Sequence, residues 1–158
     1  MKSILASLLD VLSLKTVYAH CDIPCGIYDP HQAQLAAHTI IRMTKLIQEA
    51  NGDIHKIARM TRVKEKHSES VEEEIITLWA DYFKEEHLKD NPDLHGLIWK
   101  TVKQTGTTRQ EVNMQAAEDL LANVQKIAEI FWRTKKIPSI RIPAPYPTGG
   151  EIVLPTTA

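Results

Sequence analysis

From residue 31 onward, apolar side chains recur every three or four positions, which is the spacing of one face of a helix. Leu35, Ala36, Ile40, Met43, Leu46 and Ile47 make the first such face. It begins after Asp29-Pro30, a helix-start pair, and Asn51-Gly52 closes it. A second face runs from Ile54, Ile57 and Val63 to Ile75, Leu78 and Tyr82. Inside it, Ser70-x-x-Glu73 has the form of a capping box, so one long helix and two shorter ones both fit. Residues 84–91 connect to a third pattern, Leu94, Leu97, Ile98 and Val102, which opens at Asn91-Pro92. Gly106-Thr107-Thr108 is predicted to end it, and Thr108-x-x-Glu111 to cap the last helix. There Ala117, Leu121, Val124, Ala128 and Phe131 alternate by four and three, a stripe made to face a bundle.

No alternating strand pattern competes. The fold expected is all-α: an antiparallel four-helix bundle over residues 31–136. Residues 137–158 break the pattern with Pro138, Pro143, Pro145, Pro147, Pro155 and Gly149-Gly150. They are predicted to form an extended, Pro-rich C-terminal tail without helix. Packing on a neighbouring subunit and a free arm both remain open for it.

The opposite end is also distinct. Residues 1–19 place Lys2 before the apolar Ile4, Leu5, Leu8, Leu9, Val11 and Leu12, and Val17-Tyr18-Ala19 resembles a small-residue cleavage site. Asp10 and Lys15 interrupt that pattern, and Leu5, Leu8, Leu9 and Leu12 fall equally well on one helical face. A removable leader and an amphipathic helix fit alike.

Composition narrows the class without naming an activity. The 158 residues are 43% hydrophobic and 25% charged, with a formal net charge of -1. That supports a real core and gives no basic footprint for nucleic acid. No stretch has the length of a membrane-spanning helix. Two cysteines do not make a disulfide scaffold. His31, His38, His55, His67, His87 and His95 show no ligand-pair spacing and are expected at the surface or at helix caps. Trp79, Trp99 and Trp132 are expected in the core or at subunit contacts, and Glu72-Glu73-Glu74 on a solvated face.

Both cysteines lie in residues 20–30, His20-Cys21-Asp22-Ile23-Pro24-Cys25-Gly26-Ile27-Tyr28-Asp29-Pro30. A cut after Ala19 would free the amine of His20, whose pKa of roughly 8 lets a metal ion deprotonate it easily. That amine, the Cys21 amide nitrogen and the Cys21 thiolate are spaced to close two fused five-membered chelate rings. Cys25 returns a second thiolate, and Pro24 and Gly26 are turn residues that fold the segment back. The His20 imidazole can then take the axis of a plane of two nitrogens and two sulfurs. A planar site containing nitrogen suits nickel(II) or copper(II), whereas zinc prefers a tetrahedron. A Cys21–Cys25 disulfide is the competing reading of the pair.

The whole string resembles the N-terminal signature of the nickel superoxide dismutases, in which it begins the mature protein. Further matching stretches are Asp53-Ile54-His55, Thr61, Val63-Lys64-Glu65, Leu78-Trp79-x-Asp81-Tyr82-Phe83-Lys84, Pro92-x-Leu94-His95 and Ile130-Phe131-Trp132-x-Thr134-Lys135-Lys136. The resemblance spans roughly residues 20 to 136 and favours a continuous helix over residues 54–83. It implies disproportionation of superoxide through a nickel(III)/nickel(II) cycle, with one nickel per subunit held by His20, Cys21 and Cys25. Tyr28 is implied at the mouth of the site, Asp22 and Pro24 as keepers of the hook's shape, Tyr82 as a second aromatic nearby and Lys84 as an attractor of the anion. It also implies a maturation peptidase cutting after Ala19, a homohexamer, and a cytoplasmic location. In that family a glutamate in the first helix and an arginine in the second support the axial imidazole. Here those stretches read Ala36-Ala37 and Lys66-His67, so the glutamate is missing and His67 is the candidate substitute. Two other functions stay in competition: a nickel-binding or delivery module without turnover, and a secreted helical protein with the disulfide.

Overall fold

The structure, a computed structural model, describes residues 26–156. The leader at 1–19 and the hook residues His20, Cys21, Asp22, Pro24 and Cys25 lie outside the described residues. Five helices and a β-hairpin follow in order. They are α1 (His31–Gln48), α2 (Ile54–Thr77), a π-helical turn (Leu78–Tyr82), α3 (Glu85–Asp90), α4 (Leu94–Gln110), α5 (Met114–Thr134), β1 (Ser139–Pro143) and β2 (Glu151–Pro155).

The four long helices close a ring: α1 packs on α2, α2 on α4, α4 on α5 and α5 on α1. Short connections between sequential helices make neighbours antiparallel. The core lies inside the ring, where Ile40, Val71, Ile75, Leu94, Leu120, Val124, Ile127 and Phe131 are all inaccessible to solvent. The predicted stripe of α5 is buried throughout, from Ala117 to Phe131. Asp53 starts α2 by accepting a hydrogen bond from the Lys56 N–H at 3.1 Å. The preceding turn holds Asn51 and Gly52 at φ of 49° and 79°, left-handed backbone that a glycine or asparagine tolerates best. Among the described residues, no helix is long and apolar enough to cross a membrane.

Several expectations change. Ser70 does not cap a new helix; its hydroxyl donates to the Lys66 carbonyl at 3.0 Å and α2 runs straight through. Gly106 does not end α4, which continues to Gln110. The hydroxyls of Thr105 and Thr108 return hydrogen bonds to the helix's own carbonyls, so this Thr-rich stretch stays helical. The last helix is capped by Asn113, whose side-chain oxygen accepts from the Ala116 N–H at 3.0 Å, and not by Thr108. Glu72 is more than a solvated carboxylate: it pairs with Arg109 and accepts from Thr105 at 3.0 Å, tying α2 to α4.

A buried lysine supports the same junction. Lys64 is 1% exposed. Its ammonium donates to the carbonyls of Thr108, Arg109 and Glu111, the last two at 3.1 Å. An ammonium has three donors, and the final turn of a helix has carbonyls without partners, so the two sets satisfy each other. The negative end of the α4 dipole adds to the attraction. Burial pulls the Lys64 pKa below its ordinary value.

The tail differs most from expectation. Residues 139–155 form an antiparallel hairpin, with Ile140 opposite Leu154 and Ile142 opposite Ile152. It packs on α1 and α5, and Ile152 and Val153 are buried. Side chains of the bundle read its backbone. Gln34, fully buried, donates to the Val153 carbonyl at 3.0 Å and accepts from the Val153 N–H at 2.8 Å. His38 bonds the Thr148 hydroxyl at 2.9 Å and the Glu151 carbonyl at 3.1 Å, and Gln125 donates to the same carbonyl at 2.6 Å. Arg141 reaches back to Glu129 at 2.6 Å. His38 is therefore no surface residue: it is 3% exposed, with the Tyr146 ring edge-on at 5.1 Å.

Two expected outcomes follow from these buried contacts. Lys64→Met leaves three carbonyls without a donor and should cost about 2–4 kcal/mol in a denaturant titration. Burial holds the His38 pKa below its ordinary 6.5, the bond to Glu151 only partly offsetting it. The folded chain thus keeps His38 neutral, and its contribution is complete above pH 6.5. As pH falls below that value the unfolded chain takes up the proton first, so stability drops. Thermal melts across pH 7.5 to 5 should show this loss for the wild type and a smaller one for His38→Gln.

Candidate metal centre

The last residues of the hook lead directly into the bundle. Gly26 has φ of +83°, a backbone shape that a side chain would strain, and it turns the chain toward Tyr28. Asp29 then accepts from the His31 N–H at 2.8 Å, satisfying one of the free donors that open α1. Pro30 occupies the cap position and α1 begins at His31.

Tyr28 is half-buried against the core. Its ring lies 5.7 Å from that of Tyr82, tilted by 54°. Tyr82 comes from the far end of α2, where the helix widens into the π turn closed by a Phe83 N–H to Leu78 carbonyl bond of 2.9 Å. The wider turn shifts the register of everything after it, and such turns recur at functional sites. The Tyr82 hydroxyl meets the Thr134 hydroxyl at 2.7 Å. Its ring packs at 4.6 Å on Phe131 and stacks at 5.5 Å on His87. Tyr82 thus joins the end of the hook, the end of α2 and the C-terminal turn of α5.

Charges around this pair are unequal. Glu74, one turn before the π segment, has its carboxyl pushed up by burial and by the negative charges of Glu73 and Asp29. On the other side Lys135 lies over three rings: Phe131 at 4.8 Å, Tyr82 at 5.6 Å and Trp132 at 6.0 Å. Lys84 is exposed, and its backbone N–H donates to the His87 ring at 3.1 Å. Of the predicted site residues, the structure brings Tyr28 and Tyr82 together and places Lys84 two positions further along the chain. His67 donates its Nδ1–H to the Val63 carbonyl at 2.8 Å. Thr134, His87 and Lys135 were not singled out for the site from sequence. Thr134 and Lys135 stood within a matched stretch, while His87 carried no signal.

No group of three histidine, cysteine or acidic side chains among the described residues is placed to hold a metal. The donor set in the sequence is the hook itself, and its chemistry fits nickel. His20, Cys21 and Cys25 carry an imidazole and two thiols, and a free amine at His20 with the Cys21 amide nitrogen would complete a planar field. A four-helix bundle that seats an aromatic just after such a donor-bearing segment is a frame suited to a metalloprotein.

The comparisons with known proteins give the particular kind. The profile of the family described as nickel-containing superoxide dismutase matches residues 15–135. A superoxide dismutase [Ni] of Streptomyces seoulensis is 39% identical over 123 residues, covering 76% of this chain and 91% of the relative. One from Streptomyces coelicolor is 38% identical over 124 residues, covering 77% and 92%. A crystal structure of a Ni-containing superoxide dismutase with its Ni-ligation in the oxidized state superposes with a TM-score of 0.69 at 36% identity, over 74% of this chain and 99% of that one. A native nickel superoxide dismutase structure gives 0.69 at 34%, over 73% and 99%. The chain belongs to the nickel-containing superoxide dismutase family. Membership carries the activity with it: the enzyme acts on superoxide and uses nickel as its cofactor. The hairpin at 139–155 lies beyond the matched region.

Tyr82→Phe keeps the ring against Tyr28 and removes only the bond to Thr134. It should cost about 1 kcal/mol in equilibrium unfolding, whereas Tyr82→Ala, which also empties the space between α2 and α5, should cost about 3–5 kcal/mol.

Proposed function

We propose that the nickel is held by the His20 amine and imidazole, the Cys21 amide nitrogen and thiolate, and the Cys25 thiolate, one ion per subunit. When bound, nickel supplies a one-electron nickel(III)/nickel(II) couple, which the amide and the two thiolates bring within reach. The chain's own residues do the rest. Removal of residues 1–19 by a maturation peptidase converts the His20 nitrogen from an amide into an amine, so the donor set is complete only after cleavage. Asp22 and Pro24 keep the hook in shape. Tyr28 closes its mouth to anything larger than a diatomic anion, and Tyr82 holds Tyr28 in place through the ring contact at 5.7 Å. Lys84, exposed two residues beyond Tyr82, adds positive charge on the approach. In the complete reaction two superoxide ions and two protons become one dioxygen and one hydrogen peroxide.

The observation that carries this reading is the seating of Tyr28. The residue three positions after Cys25 is fixed to the end of the bundle by Tyr82, so the hook ends at a defined place rather than on a free arm. With the family's signature intact from His20 to Pro30, the same place serves as the metal centre. The assembly in this reading is a homohexamer, and the compartment is the cytoplasm, where thiols are kept reduced.

Native protein should start at His20, carry about one nickel per chain, and show a nickel(III) resonance that reduction removes. It should also consume superoxide. Cys21→Ser and Cys25→Ser should each abolish both metal content and activity while the bundle still folds. A mass matching a Cys21–Cys25 disulfide without metal would overturn the ligand assignment. Nickel without turnover would leave a delivery module.

A further inference from the structure

We propose that Lys135 is the fixed positive charge that draws superoxide to the mouth at Tyr28. This rests on the reading above, in which Tyr28 borders the nickel hook. Lys135 lies at the end of α5, and its ammonium is held on the faces of Phe131, Tyr82 and Trp132 at 4.8, 5.6 and 6.0 Å. Tyr82 in turn touches Tyr28, so one ring separates the ammonium from the residue at the mouth.

The way the charge is held matters. Lys45, Lys56, Lys66, Lys89, Arg109 and Arg141 each face a carboxylate that cancels most of their field. None of the ion pairs among the described residues includes Lys135. Aromatic faces attract a cation through their quadrupole without neutralising it. The ammonium is therefore immobilised with its net charge intact. The end of the α5 dipole beneath it offsets that charge only in part. An exposed lysine on a flexible stem, such as Lys84, spends its charge over a large solvated volume. Lys135 instead keeps a constant position relative to Tyr28.

The opposite side of the site needs such a counterweight. Asp29 follows Tyr28 directly, and the Glu74 carboxyl is raised by its burial and by the nearby negative charges of Glu73 and Asp29. An approaching anion meets repulsion there and attraction from Lys135, which selects the approach over the aromatic end of α5. The packing explanation, that the lysine only covers ring surface and caps a helix, predicts that any loss in Lys135→Met is the same at every salt concentration.

The test uses processed, nickel-loaded protein and the decay of superoxide, with kcat/KM measured from about 0.01 M to about 1 M salt, where the screening length falls from roughly 30 to 3 Å. Lys135→Met keeps an apolar stem on the rings and removes the charge. It should lower kcat/KM roughly two- to five-fold at low salt, flatten the salt dependence, and converge with the wild type at high salt with nickel content unchanged. Lys135→Arg, which retains charge and ring contact, should follow the wild type. Equal rates for Lys135→Met and wild type at every salt concentration overturn the proposal. So does a loss that is the same at all of them, because that marks a structural effect. A convergent loss in Lys84→Met but not in Lys135→Met overturns it in favour of Lys84. A nickel-loaded wild type that leaves superoxide untouched overturns the reading of the site itself, and this proposal with it.

Discussion

The contact between Tyr28 and Tyr82 is what fastens the chain ahead of α1 to the bundle. A short flexible segment cannot hold a coordination geometry by itself, because each free residue costs roughly 1–2 kcal/mol of backbone entropy to order. Here the cost is shared with the bundle. Tyr28 packs on a ring that α2 delivers through its π turn and that α5 fastens through Thr134 and Phe131. Asp29 then ties the next residue to the start of α1. Tyr28 and Asp29 are thus tied to three of the four long helices.

The bundle holds those helix ends in register with a few buried polar groups. Lys64 satisfies the end of α4 from inside α2, and Glu72 grips the same helix from the next turns. Both act at the far end of α4 from the hook, so they keep α2 and α4 from sliding past each other. Apolar packing alone tolerates such sliding more readily, because it has no direction. Such groups also make the fold sensitive, since a buried charge without its partners is expensive. The hairpin uses the same device. Gln34 and His38 of α1, with Gln125 of α5, fill the backbone hydrogen-bonding needs of β2, which would otherwise present an open edge.

How much of this was legible in the sequence depends on the range of the interaction. The apolar stripes of α1, α2 and α5 are local and repeat at the helical period, so they were readable directly. The end of α4 was misread because Gly106 and the threonines after it disfavour a helix on average, while the structure turns the hydroxyls of Thr105 and Thr108 back onto the helix. The hairpin was missed because its strands are only five residues each and the prolines and glycines around them read as an extended arm. Its stabilising partners lie far away: Gln34 and Val153 are separated by 119 positions. His38 was read as a surface histidine for the same reason. Tyr28 and Tyr82 were named through the family signature, and no periodicity in the chain would have paired them.

The sequence by itself offered the chemistry. Two cysteines, a histidine and turn residues in eleven consecutive positions make a candidate donor set, because chelation depends on covalent spacing. The helical periods determined the bundle, because burial of one face depends on local spacing too. Tertiary structure alone decided how Tyr82 is fastened behind Tyr28, through Thr134 and Phe131, and that Lys135 lies over the same rings. Those are contacts between residues brought together from opposite ends of different helices, and only packing in three dimensions sets them.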